Sequence, residues 1–141
     1  MAKIKHIAIA THDPEGTAQF YQDVMGLKIV DRIDVAQTKG VFLSDGDFSV
    51  ALLHFKTDEA ALMPGGAKFV GLHHFGFLMD DEAEKDRVLK KLAELKAPSL
   101  QGGPLAAQGE HGVYVELKFK DPNGITFDVA EGGWPGVSRG S

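Results

Sequence analysis

The sequence predicts an α+β fold in which two βαβββ modules pair into one open, cup-shaped mixed sheet with the helices outside. Three observations predict this fold. An alternating apolar segment at residues 4–10 returns at residues 72–78, 68 positions later. Each copy is followed by an aspartate suited to cap a helix, Asp13 or Asp81, and then by apolar residues at helical spacing. Short strand-like segments follow each helix, and one such half-sheet cannot bury its inner face alone.

The first module is expected to span residues 1–60 and to begin with the strand at residues 4–10. Pro14 takes the first helical position, where its missing N–H costs nothing, and Gly26 suits a left-handed cap at the helix end. Strands are then predicted at Lys28–Val35, Gly40–Leu43 and Asp47–Phe55, with a turn at Asp45-Gly46.

The second module is expected to span residues 72–134, after a linker at residues 61–71 and before a flexible tail at residues 135–141. Its helix is indicated by Val88, Leu89, Leu92 and Leu95 at helical spacing. Its last two strands are predicted at Val113–Lys120 and Ile125–Ala130, on either side of an Asp-Pro-Asn-Gly turn. The Gly- and Ala-rich stretch Leu100–Gly112 is predicted to be a mobile loop.

The composition narrows the classes of partner. The formal charge of −5 and the absence of a concentrated basic face argue against nucleic acid. No apolar run is long enough to cross a bilayer, and we expect no signal peptide. The chain has no cysteine, which fits a reducing compartment. We therefore expect a cytoplasmic protein that binds a small molecule, without a membrane or nucleic-acid partner.

Strand parity predicts which side chains enter the cup. His6, His74 and Asp128 lie on three different strands and are each expected to face inward. Their inward neighbours include small residues, which an accessible site needs more than a filled core does. The inward set is expected to comprise Ile4, Ala8, Ala10, Leu72, Gly76, Leu78, Thr126 and Ala130.

Two imidazoles and one carboxylate form the ligand set that non-haem Fe²⁺ favours, and Zn²⁺, Mn²⁺, Ni²⁺ or Co²⁺ is also compatible. The alternative is that each histidine is a core residue satisfied by a hydrogen bond. Equivalent histidines in two repeats, together with an inward Asp128, favour one divalent metal on His6, His74 and Asp128.

Three motifs carry a resemblance to a known family. They are His-Ile-Ala-Ile-Ala at 6–10 with the helix that follows it, His-Phe-Gly-Phe at 74–77, and Asp-Pro-Asn-Gly-Ile-Thr-Phe-Asp at 121–128. In this order they resemble the vicinal oxygen chelate superfamily. That superfamily includes glyoxalase I, methylmalonyl-CoA epimerase, extradiol dioxygenases and the bleomycin- and fosfomycin-resistance proteins. The resemblance implies metal ligands on the first and last strands of each module, with Asp128 in place of the usual glutamate.

The fourth ligand position departs from the family pattern. The resemblance places it on Ala51, or on Val50 after a slip of one residue, and neither side chain binds metal. The three remaining ligands are typical of extradiol dioxygenases, whereas glyoxalase I and the epimerases usually use four. His54 becomes a ligand only if the register shifts further.

Other polar residues have two open interpretations. Glu116 and Lys118 share strand parity, and the resemblance places Lys118 where dioxygenases often carry an active-site tyrosine. In one interpretation Glu116 serves as a base and Lys118 holds an anionic oxygen; in the other, both residues belong to an exposed strand.

Trp134 either closes one end of the cup or lies in a subunit contact. A structural or solvent-facing position is expected for His12, His73 and His111.

The resemblance implies three functions. The first is a metalloenzyme acting on a small substrate with vicinal oxygens, with dioxygenase-like chemistry slightly favoured over lyase or isomerase chemistry by the missing fourth ligand. The alternative is a small-molecule binding protein of the bleomycin-resistance kind, without catalysis. A third is an accessory subunit with a vestigial site. Since many relatives dimerise, a homodimer is expected, and the modules pair either within one chain or between two.

Overall fold

The computed structural model describes residues 1–100, 105–110 and 113–138. The strands in these ranges are β1 (Lys3–Ala10), β2 (Lys28–Asp34), β3 (Thr38–Ser44), β4 (Ser49–Phe55), β5 (Gly71–Leu78), β6 (Leu105–Gln108), β7 (Val113–Lys120) and β8 (Thr126–Ala130). The α-helices are α1 (Pro14–Met25), α2 (Asp58–Ala61) and α3 (Glu82–Glu94), and a 3₁₀ turn covers Gly66–Lys68. None of the helices in the described ranges is long and apolar enough to cross a membrane.

The strands form one open, mixed sheet in the order β2-β3-β4-β1-β5-β8-β7-β6. Strands β1 and β5 pair antiparallel and join the two halves, while β1 pairs parallel with β4 and β5 pairs parallel with β8. The predicted α+β fold is thereby confirmed. The two halves pair edge to edge within one chain, which decides between the two pairings that the sequence left open.

Both main helices begin as their sequence patterns predict, but Leu95, the last residue of the predicted apolar pattern, follows α3 and is 69% exposed. The side chain of Asp13 accepts a hydrogen bond from the Gly16 N–H at the start of α1, and Asp81 accepts one from the Glu84 N–H at the start of α3. Gly26 ends α1 with a left-handed φ of 71°. Helix α3 packs with its residues Val88, Leu89 and Leu92 against a core of Met79, Phe119 and Val129.

Strands β1 and β5 each carry one extra residue, and this corrects the predicted strand parity. The pairing steps over Lys5 on β1 and over His73 on β5, so two residues there face one on the partner strand. Alternation therefore reverses at each bulge. Ile4 and Leu72, which we expected inside the cup, are 49% and 74% exposed, while Lys5 and His73 are buried. Both expectations were wrong for the same physical reason.

The stretch predicted to be a loop at 100–112 contains a strand. Strand β6 pairs antiparallel with β7 at the edge of the sheet. Its sequence, Leu-Ala-Ala-Gln, has no β-branched residue, so its pairing partner specifies it more than its own pattern does. The predicted role of His111 falls outside the described residues.

The two edges of the sheet are linked after β6. The backbone N–H of Glu110 donates to the carbonyl oxygen of Arg32 at 3.0 Å and to the buried carboxylate of Asp31 at 2.9 Å, both on β2. Because β2 and β6 are the outermost strands, this contact connects the open rims of the cup.

Candidate metal centre

The three residues predicted to bind metal meet at the junction of the two halves. His6 Nε2 lies 3.3 Å from His74 Nε2, and Asp128 Oδ2 lies 3.7 Å from the first and 3.0 Å from the second. The three residues are 2%, 6% and 0% exposed. Their candidate ligand atoms all lie within 4.8 Å of one another, which is close enough for one ion to touch all three.

The sheet register explains why these side chains converge. Gly76 on β5 lies opposite His6 on β1 and, on its other side, opposite Asp128 on β8. Since glycine has no side chain, the two flanking groups reach across it toward His74. A Cβ at Gly76 would approach the His6 Cβ to 3.1 Å. Gly76, which was expected from the sequence to be a small inward neighbour of His74, is therefore required for the site to form.

The state of the three groups fits a cation. Asp128 Oδ2 is buried and has no hydrogen-bond partner among the described residues, an arrangement that costs free energy unless a cation compensates it. Burial also lowers the pKa of His6 and His74 well below the usual value, so both imidazoles are neutral, the form that binds metal. Burial raises the pKa of Asp128, against the opposing effect of the Lys118 ammonium.

Lys118 lies inside the cluster. Its Nζ is 2.7 Å from Asp128 Oδ1, 3.0 Å from Glu116 Oε1 and 3.2 Å from His74 Nε2. Burial alone would lower the pKa of Lys118, but the carboxylates of Glu116 and Asp128 raise it on balance, so the side chain is an ammonium. Glu116 and Lys118 do not lie on an exposed strand, which was one of their two interpretations, because Lys118 is buried and Glu116 is half-buried.

Trp134 closes the cup over His6. Its indole stacks on the His6 ring with 4.5 Å between centroids and 4° between planes, and its Nε1–H donates to Glu116 Oε2 at 2.8 Å. A Cβ on Gly76 would come within 2.7 Å of the indole, so the same glycine admits both His6 and Trp134. Of the two positions expected for Trp134, the one inside the cup is observed.

The fourth ligand position falls on Ala51. Ala8 lies opposite Ala51 on β4, as its repeat counterpart Gly76 lies opposite Asp128 on β8. Ala51 is buried in an apolar cluster and offers no ligand atom. His54 is outside the metal cluster, with its ring 6.2 Å from that of His12.

Two contacts of the ligand histidines were not predicted. Ser49 Oγ lies 3.3 Å from His6 Nδ1, because β4 places Ser49 directly beside His6. His73 Nδ1 lies 2.7 Å from His74 Nδ1, although simple alternation along the strand would put the two neighbouring side chains on opposite faces. The consecutive His73-His74 pair was the available signal, and the bulge that makes it effective cannot be read from alternation.

The comparisons with known proteins agree with this architecture. The family model described as Glyoxalase/Bleomycin resistance protein/Dioxygenase superfamily matches residues 3–129. A search of curated protein sequences gives no match.

Solved structures share the fold at low sequence identity. A methylmalonyl-CoA epimerase in complex with methylmalonyl-CoA and NH₄⁺ superposes with a TM-score of 0.74 at 21% identity, covering 93% of this chain and 94% of that one. A Streptomyces coelicolor methylmalonyl-CoA epimerase variant gives 0.73 at 22% identity, covering 92% and 96%. A hypothetical protein from Bacillus halodurans C-125 gives 0.71 at 20% identity, covering 92% and 94%.

Together, the match over nearly the whole chain and the paired modules show that this protein belongs to the Glyoxalase/Bleomycin resistance protein/Dioxygenase superfamily.

Proposed function

We propose that this protein is a divalent-metal-dependent enzyme acting on a small substrate with two neighbouring oxygen atoms. The observation that carries the proposal is the buried Oδ2 of Asp128, which accepts no hydrogen bond from the described residues and lies beside two neutral imidazoles. His6, His74 and Asp128 would hold the metal. Their donor set suits Fe²⁺, Zn²⁺, Mn²⁺, Ni²⁺ or Co²⁺. When bound, such an ion acts as a Lewis acid toward the substrate oxygens.

Lys118 is proposed as the cation that receives negative charge on the substrate. Its ammonium is already held by the carboxylates of Asp128 and Glu116, so little reorganisation is needed when an anionic oxygen approaches. The same contacts leave Asp128 Oδ2 on the side of the two histidines, because Lys118 takes Oδ1.

Glu116 is proposed as the proton acceptor. One of its oxygens contacts Lys118 and the other accepts from Trp134, but each oxygen can accept a second hydrogen bond. In the proposed step a C–H bond next to a carbonyl breaks and its proton passes to Glu116. The electron pair moves to the carbonyl oxygen, where Lys118 stabilises the enolate, and return of the proton to the neighbouring oxygen-bearing carbon completes an isomerisation.

The reaction class is proposed as isomerase or lyase chemistry. The preference for dioxygenase chemistry rested on the missing fourth ligand, and the comparisons lend it no support, since solved neighbours include methylmalonyl-CoA epimerases. The buried ammonium of Lys118 beside the metal position also suits a developing enolate. Dioxygenase chemistry is therefore the second candidate.

We also propose a cytoplasmic homodimer. A cavity of about 390 Å³ with a mostly apolar lining includes Leu72 and Ile125, whose side chains are largely exposed in the single chain. Exposed apolar side chains grouped in this way are typical of a surface that another subunit covers. We propose further that the first module ends at residue 60 and that the second begins at residue 72.

One observation favours the alternative function, a small-molecule binding protein without catalysis. Lys118 Nζ lies 3.2 Å from His74 Nε2, and that nitrogen has a single lone pair. An ammonium and a metal ion therefore compete for it, and Lys118 could serve as the resident cation of a metal-free binding cup.

The test is to load the protein separately with Zn²⁺, Mn²⁺, Co²⁺ and Fe²⁺ and offer methylmalonyl-CoA and a panel of small 2-oxo acids and catechols. Deuterium uptake from D₂O, followed by NMR, reports isomerase chemistry; oxygen consumption reports dioxygenase chemistry. We expect metal-dependent deuterium uptake that Lys118→Met and Glu116→Gln reduce by roughly 10²–10⁴-fold, as for a lost acid–base group. The matched control is Lys120→Met, two residues along the same strand. Ligand binding without either reaction would instead favour the binding protein.

A further inference from the structure

His73 and His74 form a chain of polar contacts that leads out of the metal centre. We propose that His73 is a positioning residue which fixes the tautomer of His74, so that His74 Nε2 always presents its lone pair to the metal position. This inference rests on the proposed metal site. It adds a role for a residue that lies outside the expected ligand set.

The chain begins at a backbone carbonyl. His73 Nε2 lies 2.6 Å from the carbonyl oxygen of Ala61, which can only accept a hydrogen bond. His73 Nε2 must therefore carry the proton. A neutral imidazole has one donor and one acceptor nitrogen, so His73 Nδ1 is left as an acceptor.

The second contact, between His73 and His74, determines which nitrogen of His74 carries the proton. His73 Nδ1 lies 2.7 Å from His74 Nδ1, and since His73 accepts there, His74 Nδ1 must donate. His74 Nε2 is then without a proton. A separate contact agrees, because the Lys118 ammonium lies 3.2 Å from His74 Nε2 and can only donate.

Local structure holds His73 in this position. The bulge in β5 turns its side chain into the interior, where the ring packs on Phe55 with centroids 4.6 Å apart. Ala61 is fully buried and ends α2, whose first turn is capped by the Thr57 side chain. The segment between the two modules therefore reaches the metal centre through one hydrogen-bonded histidine.

The two modules hold the Nδ1 atoms of their ligand histidines differently. Lys5 occupies the equivalent bulge on β1, and its ammonium pairs with Asp47 instead of contacting His6. His6 Nδ1 is met by the Ser49 hydroxyl at 3.3 Å. A hydroxyl both donates and accepts, so Ser49 does not restrict the His6 tautomer as His73 restricts that of His74.

Two variants separate the hydrogen bond from the packing. His73→Phe keeps an aromatic ring against Phe55 but removes the acceptor for His74 Nδ1. His73→Gln loses the ring and restores an acceptor oxygen. The matched control is His12→Phe, because His12 is exposed and outside the metal cluster.

The first readout needs no metal. In the metal-free protein, ¹⁵N NMR of the histidine rings is expected to show His74 with its proton on Nδ1 in the wild type and in His73→Gln. In His73→Phe we expect a substantial Nε2–H population, because Asp128 Oδ2, 3.0 Å from that nitrogen, can accept its proton in competition with the Lys118 contact. A wild-type His74 with its proton on Nε2 would overturn the inference without any variant.

The second readout is the dissociation constant for Zn²⁺ by competition with a chelator. We expect His73→Phe to weaken binding about 10–100-fold, as is typical for loss of a group that orients a metal ligand, and His73→Gln to recover most of it. Equal affinities for wild type and His73→Phe would overturn the inference. If the wild type bound no metal while the tautomers followed expectation, the proposed function would fail and the role of His73 would stand.

Discussion

Each residue of the metal centre has a counterpart in the other module, and the two sets differ in chemistry. Lys118 lies opposite Asp128 in the second module, and Phe42 lies opposite Ala51 in the first. The charged pair of the second module thus corresponds to an apolar pair in the first. Only the histidines are retained on both sides, so the chemistry of the cup is concentrated on the second module.

At this scale we predict that Ala51→Glu creates a four-ligand site. A glutamate at the counterpart of Asp128 would add a carboxylate, and we expect Zn²⁺ to bind at least about tenfold more tightly, or ~1.4 kcal/mol. Without metal, the buried charge is expected to cost several kcal/mol of unfolding free energy, because nothing compensates it.

The measurement is the melting temperature and the Zn²⁺ dissociation constant, each with and without metal. The control is Ala51→Leu, which adds bulk at the same place and no ligand atom. A smaller metal-induced rise in melting temperature for Ala51→Glu than for wild type would contradict the placement of Ala51 at the fourth position.

Among the structural elements, the strands that carry the ligands were predicted well and their bulges were not. The repeat at an offset of 68 residues located β1 and β5, and the paired burial patterns of the two strands match position by position. Alternation cannot reveal an inserted residue, because each side of a bulge keeps its own period of two. Consequently Ile4 and Leu72 were placed on the wrong face, and the contact of His73 with His74 was missed.

Interactions between elements set a second limit on prediction from sequence. Spacing put Lys118 and Asp128 on neighbouring strands, but only the register shows that they lie directly opposite one another. Trp134 comes after the last strand, where no periodic pattern exists, so its stacking on His6 had no local signal. The ligand residues themselves were recognisable because both halves repeat them.

At the level of the strands, a prediction concerns Gly76 on β5, which lies against the Trp134 indole. We expect Gly76→Ala to lower the unfolding free energy by about 1–3 kcal/mol, because the new Cβ would lie 2.7 Å from the indole and one of them must shift. Trp134 is the single tryptophan of the chain, so its emission reports the shift directly.

Chemical denaturation and the fluorescence maximum test this prediction. Gly132→Ala is the matched control, since a Cβ there would meet nothing within 4 Å. Equal stability and equal emission for Gly76→Ala and Gly132→Ala would contradict the described position of Trp134.

On the scale of the whole molecule, the segment after β8 returns to the first module. Ser44 Oγ donates to the Gly136 carbonyl oxygen at 2.8 Å, and Ser138 Oγ donates to Asp47 Oδ1 at 2.9 Å. Asp47 also pairs with Lys5, the extra residue of the β1 bulge. The return segment therefore holds Trp134 over His6 from both modules and links closure of the cup to the ligand strands.

Buried histidines make the stability of the molecule depend on pH. Burial lowers the pKa of His6, His73 and His74, so as the pH falls below about 6.5 the unfolded chain takes up protons that the folded chain excludes. Stability is fully present above that pH and is lost below it, by up to about 1.4 kcal/mol per pH unit for each histidine.

Denaturant unfolding at pH 7.5, 6.5 and 5.5, in the presence of a chelator, measures this loss. The paired surface carboxylates titrate below this range because their pKa values are lowered. The raised pKa of Asp128 acts in the opposite direction, as one group against three histidines. We expect a shallower pH dependence for His73→Phe than for the wild type, because one of the three buried histidines is removed. A free energy of unfolding that rises from pH 7.5 to pH 5.5 would contradict three buried neutral histidines.

The most direct test of the metal centre is the metal content of protein purified without chelator, measured by elemental analysis beside His6→Ala, His74→Ala and Asp128→Ala. We expect close to one divalent ion per chain in the wild type and in the His12→Ala control, and loss of that ion in the three ligand variants. No metal in the wild type, together with no uptake by the metal-free protein, would contradict a metal centre on these residues.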